Sequence, residues 1–133
     1  MLGSKRFINT ILLILISLDL FLCLMGVVYP STWLKFIHGV YVPDPQSLMI
    51  RLGIVWGTFA LIQMIALARW EKHLYWLPLV AGVRLTESIA DWFYLITANN
   101  VSIIGTIILI FIPIANIGLG VILILCYKAL SLD

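Results

Sequence analysis

The chain has 133 residues, of which 63% are hydrophobic and 11% charged, with a formal net charge of +2 and a mean hydropathy of +1.15. So few charges cannot clothe a water-soluble domain of this length, and the composition specifies an integral membrane protein. A nucleic-acid partner is excluded as well, because the eight Lys and Arg residues are dispersed and form no basic patch.

Four apolar runs, at about 7–29, 48–69, 74–98 and 101–126, each approach the roughly 20 residues that a spanning helix needs. The expected fold is all-α: a single domain over 1–133, built as an antiparallel bundle of four transmembrane helices. The first run is longer than the roughly 7–15-residue core of a signal peptide and is followed by no small-residue cleavage site, so it reads as a membrane helix.

After the first span comes the one long connection, 30–47. Within it Trp33, Phe36, Ile37 and Val40 fall at i, i+3, i+4 and i+7, with Lys35 and His38 on another face. That pattern predicts a short helix in the interface plane over about 31–39, capped by Ser31 and ended by Gly39. Asp44-Pro45 reads as an N-cap followed by proline at the first helical position of the second span. That span carries Gly53-x-x-x-Gly57, a smooth strip expected to pack inside the bundle, and the third carries a matching strip of Gly82, Thr86 and Ala90. The turns Trp70-Glu71-Lys72-His73 and Asn99-Asn100 are so short that the second, third and fourth spans must be antiparallel neighbours. In the fourth, Pro113 removes a backbone donor and predicts a kink that frees the Leu109 carbonyl, with Asn116 a turn away as its polar partner.

Lys5, Arg6, Arg69, Lys72 and Lys128 fall at one end of the spans and only Lys35 at the other, which predicts both termini in the cytoplasm. Cys23 and Cys126 then lie about 20 Å apart along the membrane normal and cannot pair. No cysteine or histidine spacing suits a metal, and His38 and His73 lie in connections where a solvated side chain is the default.

Five charged residues interrupt the spans: Asp19, Arg51, Arg84, Glu87 and Asp91. A charge at membrane depth faces a partner or a cavity, so these five are the candidate ligand-binding or structural polar cluster. Arg84, Glu87 and Asp91 share one helix stripe at i, i+3 and i+7. Counted at about 1.5 Å per residue, Asp19 lies at the height of Arg84, and Arg51 at the height of Asp91. Two interhelical ion pairs are therefore expected, Asp19 with Arg84 and Arg51 with Asp91. Glu87 is left as the odd carboxyl, suited to proton transfer or to binding a ligand's hydroxyl. Gln63 and Asn116 read as interhelical hydrogen-bonding groups, and four of the five tryptophans as an interfacial belt with Trp56 deeper.

No catalytic set is legible: the chain has no Gly-x-Ser-x-Gly, no His-Glu-x-x-His and no phosphate-cradling glycine loop. No cofactor is expected, since haem ligation would need a histidine at depth.

Arg51-Leu52-Gly53, the basic turn Arg69-Trp70 and the stretch from Arg84 through Asp91, over the middle third of the chain, resemble the pattern of small four-helix membrane proteins of the DoxX-like group. Some of that group are similar to subunits associated with membrane redox enzymes. The resemblance implies a bacterial cytoplasmic-membrane protein with an accessory or quinone-adjacent role, and it supplies no catalytic residues. A fainter similarity, to the four-helix sterol-isomerase-like and sigma-2-receptor-like fold, implies acidic residues in a central cavity, although this chain lacks the intramembrane histidine of that isomerase chemistry.

The expected function is thus a small non-catalytic accessory or scaffold subunit of a larger membrane-protein complex, with the lipid bilayer and other membrane subunits as partners. The alternative is a binder or modifier of a lipophilic small molecule, such as a quinone, sterol or lipid, acting through the intramembrane carboxylates. A proton pathway through the same carboxylates ranks last, because the third span offers little polar below Arg84.

Overall fold

A computed structural model describes residues 4–132. Five helices follow one another: α1 (Lys5–Val28), α2 (Pro30–His38), α3 (Leu48–Arg69), α4 (Trp76–Thr97) and α5 (Ile103–Ser131), with no strand among the described residues. Of these, α1, α3 and α5 are long and apolar enough to cross a membrane.

Each long helix buries a single stripe spaced by three and four residues. In α1 it runs Ile8, Ile11, Leu12, Leu15, Ile16, Asp19, Leu22, Gly26; in α3 it runs Met49, Gly53, Trp56, Ala60, Gln63, Ala66. Both stripes contain polar residues as well as apolar ones, so the polar groups are carried inward by the same periodicity that packs the helices. Large apolar side chains such as Ile14, Leu61, Phe93 and Ile107 face outward.

The helices pair unequally. α1 packs along α3 and α4 along α5, whereas α3 and α4, joined by the short turn, touch sparsely. α3 and α4 are thus antiparallel neighbours as expected, but loosely packed ones, bridged mid-length by Trp56 and Glu87. The cause lies in the glycines: a Cβ on Gly26 would stand 2.7 Å from the Gly53 Cα, so the α1 and α3 backbones are in contact there. Gly57 meets the Cys23 sulfur on α1 in the same way. Gly120 of α5 lies against the Ala81 carbonyl of α4. The strip expected on α4 is not a packing seam, since a Cβ on Gly82 would meet nothing within 4 Å, and Thr86 and Ala90 are exposed.

The short helix forms one residue earlier than expected, with Pro30 in its first turn and no side-chain cap from Ser31, and it ends at Gly39 in the left-handed region (φ 74°). Its inward face is Trp33, Leu34 and Ile37, not the set with Phe36 and Val40, both of which are exposed. α2 is clamped at its C-terminal end. The Ser102 N–H donates to the Ile37 carbonyl (2.9 Å), and a Cβ on Gly105 would lie 2.1 Å from that same oxygen. Asp44 does cap α3, its carboxylate accepting from the Leu48 and Met49 N–H groups at 2.9 Å each, but from four residues upstream, so Pro45 lies outside the helix. α4 starts at Trp76, later than the apolar run, and α5 continues unbroken past Pro113 to Ser131.

The end bearing Lys5, Arg69, Lys72 and Lys128 is packed solid. Ile8, Leu12, Leu15, Trp70, Leu77, Leu123 and their neighbours form the larger apolar core, and Lys5 pairs with Glu71 at 2.8 Å. Cys126 lies in this core and Cys23 near the other end. The opposite half, beneath α2, is hollow.

Candidate functional site

Between the two halves lies a polar layer centred on Arg84, whose side chain is fully buried. Its terminal nitrogens Nη1 and Nη2 each donate to one carboxylate oxygen of Asp19, Nη1 at 3.1 Å, in a bidentate pair that joins α4 to α1. Asp19 also accepts from Gln63 Nε2 of α3 at 2.6 Å, so one carboxylate ties three helices together. The guanidinium lies 5.9 Å from the centre of the Phe59 ring.

Arg84 serves a second carboxylate. Its Nη1 lies 2.8 Å from Glu87 Oε2 one turn along α4. Glu87 in turn accepts from the Trp56 indole N–H at 3.0 Å and from Asn116 Nδ2 at 3.5 Å. Glu87 is therefore not the odd carboxyl that the sequence suggests, because α3, α4 and α5 all supply it with donors. Asn116 points at Glu87 and not at the carbonyl freed by Pro113. Ser88 donates both to the Arg84 carbonyl, at 2.9 Å, and to the Pro113 carbonyl, at 3.1 Å, and so pins α4 to α5 where the proline interrupts the backbone ladder.

The second expected pair does not form. Arg51 is exposed on α3, and neither it nor Asp91 makes an ion pair or a side-chain hydrogen bond among the described residues. Geometry explains the separation. Arg51 is two residues, or about 200° of helix rotation, from both Met49 and Gly53 on the buried stripe, so it points away from the bundle. Asp91 is half-buried at the wall of a cavity. Of the five candidate residues, three meet in one network, Asp91 stands beside it, and Arg51 lies outside.

That cavity fills the hollow half and measures about 740 Å³, within the roughly 300–1,000 Å³ of small-molecule sites. Its floor is the polar layer, through Glu87 and Asn116; its walls include Leu22, Phe59 and Leu109; its roof is α2 with Trp33, Leu34 and Ile37. The Trp33 ring stands edge-on to Trp56, 6.4 Å between centroids. Leu48, Leu52 and Val55 of α3 line the cavity and yet are 57%, 42% and 37% exposed, as are Thr86 and Ala90 of α4, so it opens sideways between α3 and α4. The sparse packing of α3 on α4 is what leaves this gap.

His38 closes the roof. It is the last residue of α2 and not a solvated loop residue: its Nε2 lies 2.7 Å from the Tyr94 hydroxyl and its Nδ1 3.1 Å from the Asn100 carbonyl. A carbonyl only accepts, so Nδ1 carries the proton and Nε2 of the neutral ring receives the Tyr94 O–H. Trp56 was identified from the sequence only as a deep tryptophan, and the His38–Tyr94 contact was not foreseen. Matching Trp56 and Glu87 by depth would have suggested the first; the second depends on how the connection folds back.

No group of three or more His, Cys, Asp or Glu residues suited to a metal occurs among the described residues. Comparison with protein-family models, with curated proteins and with solved structures finds no match to this chain.

Proposed function

We propose that the protein binds a lipophilic small molecule drawn from the membrane and holds it in the cavity beneath α2. The observation that carries this reading is the pairing of an apolar volume large enough for a drug-sized ligand with a sideways opening toward the bilayer and a floor of fixed polar groups. The Arg84 guanidinium is paired with Asp19 and Glu87, and the space above that layer stays open.

The reading takes α4 as a fourth crossing. Its 22 residues reach roughly 33 Å, and the charges that lower its hydropathy lie on the face turned inward. It also takes the basic end, with both termini, as cytoplasmic, which puts α2 and the cavity mouth in the outer leaflet.

To test it, the protein is extracted in mild detergent and its organic extract analysed by mass spectrometry beside that of Ala90→Phe, which obstructs the opening. A lipophile retained by the wild type and lost from the variant supports the reading; identical extracts count against it.

An accessory-subunit role, with the redox association implied by the DoxX-like resemblance, is the second reading. It draws on Arg51, a cation on an outward face with no counter-charge among the described residues. A stoichiometric partner that co-migrates with the wild type and is lost on Arg51→Leu would favour it.

A further inference from the structure

We infer that the cavity selects lipophiles whose polar head donates hydrogen bonds, an alcohol or an amine, with Asp91 and the Asn116 Oδ1 as the receiving atoms. The inference rests on the proposed binding role and specifies its ligand class.

It follows from an inventory of the polar atoms that line the space. Asp91 makes no hydrogen bond and no close ion pair among the described residues, the Arg84 guanidinium acting on it only at longer range, although it lines an apolar cavity. Asn116 is 2% exposed and also lines the cavity; its Nδ2 is directed at Glu87, while its Oδ1 accepts from no donor among the described residues. Both are acceptors without a donor, Asn116 fully buried and Asp91 half-buried, and an acceptor left unmatched away from water is costly.

Three donors in the same walls are already committed. The Trp56 indole N–H goes to Glu87, the Thr86 hydroxyl to the Gly82 carbonyl at 2.9 Å, and the Tyr94 hydroxyl to His38. Arg84, just beneath, is shared between Asp19 and Glu87. What remains is the second N–H of Asn116, the indole of Trp33 on α2 at the roof, the Asn99 amide at the same end, and the Arg84 Nε beneath the lining residues. A head group that can only accept, such as a ketone, an ester or an ether, therefore finds the carboxyl oxygens of Asp91 and the Asn116 oxygen facing its own lone pairs. One that donates satisfies both.

The experiment uses the full chain in lipid nanodiscs, titrated with four probes matched in tail length: hexadecanol, hexadecylamine, hexadecyl methyl ether and hexadecane. Bound probe is counted by native mass spectrometry. The alcohol, the amine or both should bind at least about 10-fold more tightly than the ether, the size expected for one hydrogen bond to a charged group. Asp91→Ala should bring that ratio close to one while leaving ether and alkane binding unchanged, and since Asp91 holds no other side chain by a hydrogen bond or close ion pair the variant should fold. Separate alcohol and amine arms tell a neutral donor from a charged one. Equal binding of ether and alcohol to the wild type, or a preference that survives Asp91→Ala, overturns the inference while leaving lipophile binding intact. Failure of all four probes to bind removes the binding role and this inference together.

Discussion

Arg84 and Asp19, 65 positions apart in the chain, face each other as a two-pronged ion pair with neither side chain exposed to the surroundings. Removing either partner strands a buried charge, at about 3–5 kcal/mol. Asp19→Asn and Arg84→Gln should each lower thermal stability by that order in detergent. The double variant should lose clearly less than the sum of the two, because both delete the same contact. Arg84→Gln should be the worse of the pair, since it leaves Glu87 as well as Asp19 without a counter-charge. Additive losses in thermal unfolding would show that the two groups act independently.

The contact of Gly26 with Gly53 predicts a contrast among glycines. Gly26→Ala places a methyl within 2.7 Å of backbone and should cost about 1–3 kcal/mol by forcing α1 from α3. Gly82→Ala adds its methyl to open space and should raise helix stability by up to about 1 kcal/mol. Comparing the two unfolding midpoints checks the α1–α3 seam directly.

Trp56→Phe keeps an aromatic side chain but removes the indole N–H that Glu87 accepts, along with part of the ring volume. The loss should be about 1–3 kcal/mol in thermal unfolding, the cost of leaving a buried acceptor short of a donor. Glu87→Gln in the Trp56→Phe background should then cost less than it does in the wild type.

Tyr94→Phe breaks the contact that holds the end of α2 over the cavity. Amide hydrogen exchange in 33–39 should quicken, while exchange in the α1–α3 seam stays as it was. No change in α2 would mean that the clamp at Ser102 and Gly105 holds the roof alone.

The helices and the central ion pair were legible in the sequence, because run length sets the spans and depth along them sets which charges can meet. Depth is only half of a position. Arg51 and Asp91 match in height, but the stripe Met49–Gly53–Trp56–Ala60–Gln63, itself visible in the sequence, already turns Arg51 outward. Glu87 looks unpaired in the sequence if Arg84 is assigned wholly to Asp19, whereas the guanidinium serves both carboxylates and an indole and an amide add further donors. The cavity was not legible at all. It arises from the unequal packing of α3 on α4, which depends on where backbone contacts between other helices bring each helix to rest.

The most direct measurement of the central claim is photolabelling in membranes with a diazirine-bearing alkyl alcohol, followed by mapping of the modified residues. The account predicts labels on cavity residues such as Phe59, Leu109 and Ile112, suppressed by excess hexadecanol. Labels confined to outward faces such as Ile14, Leu61, Phe93 and Ile107, and insensitive to competitor, would contradict it.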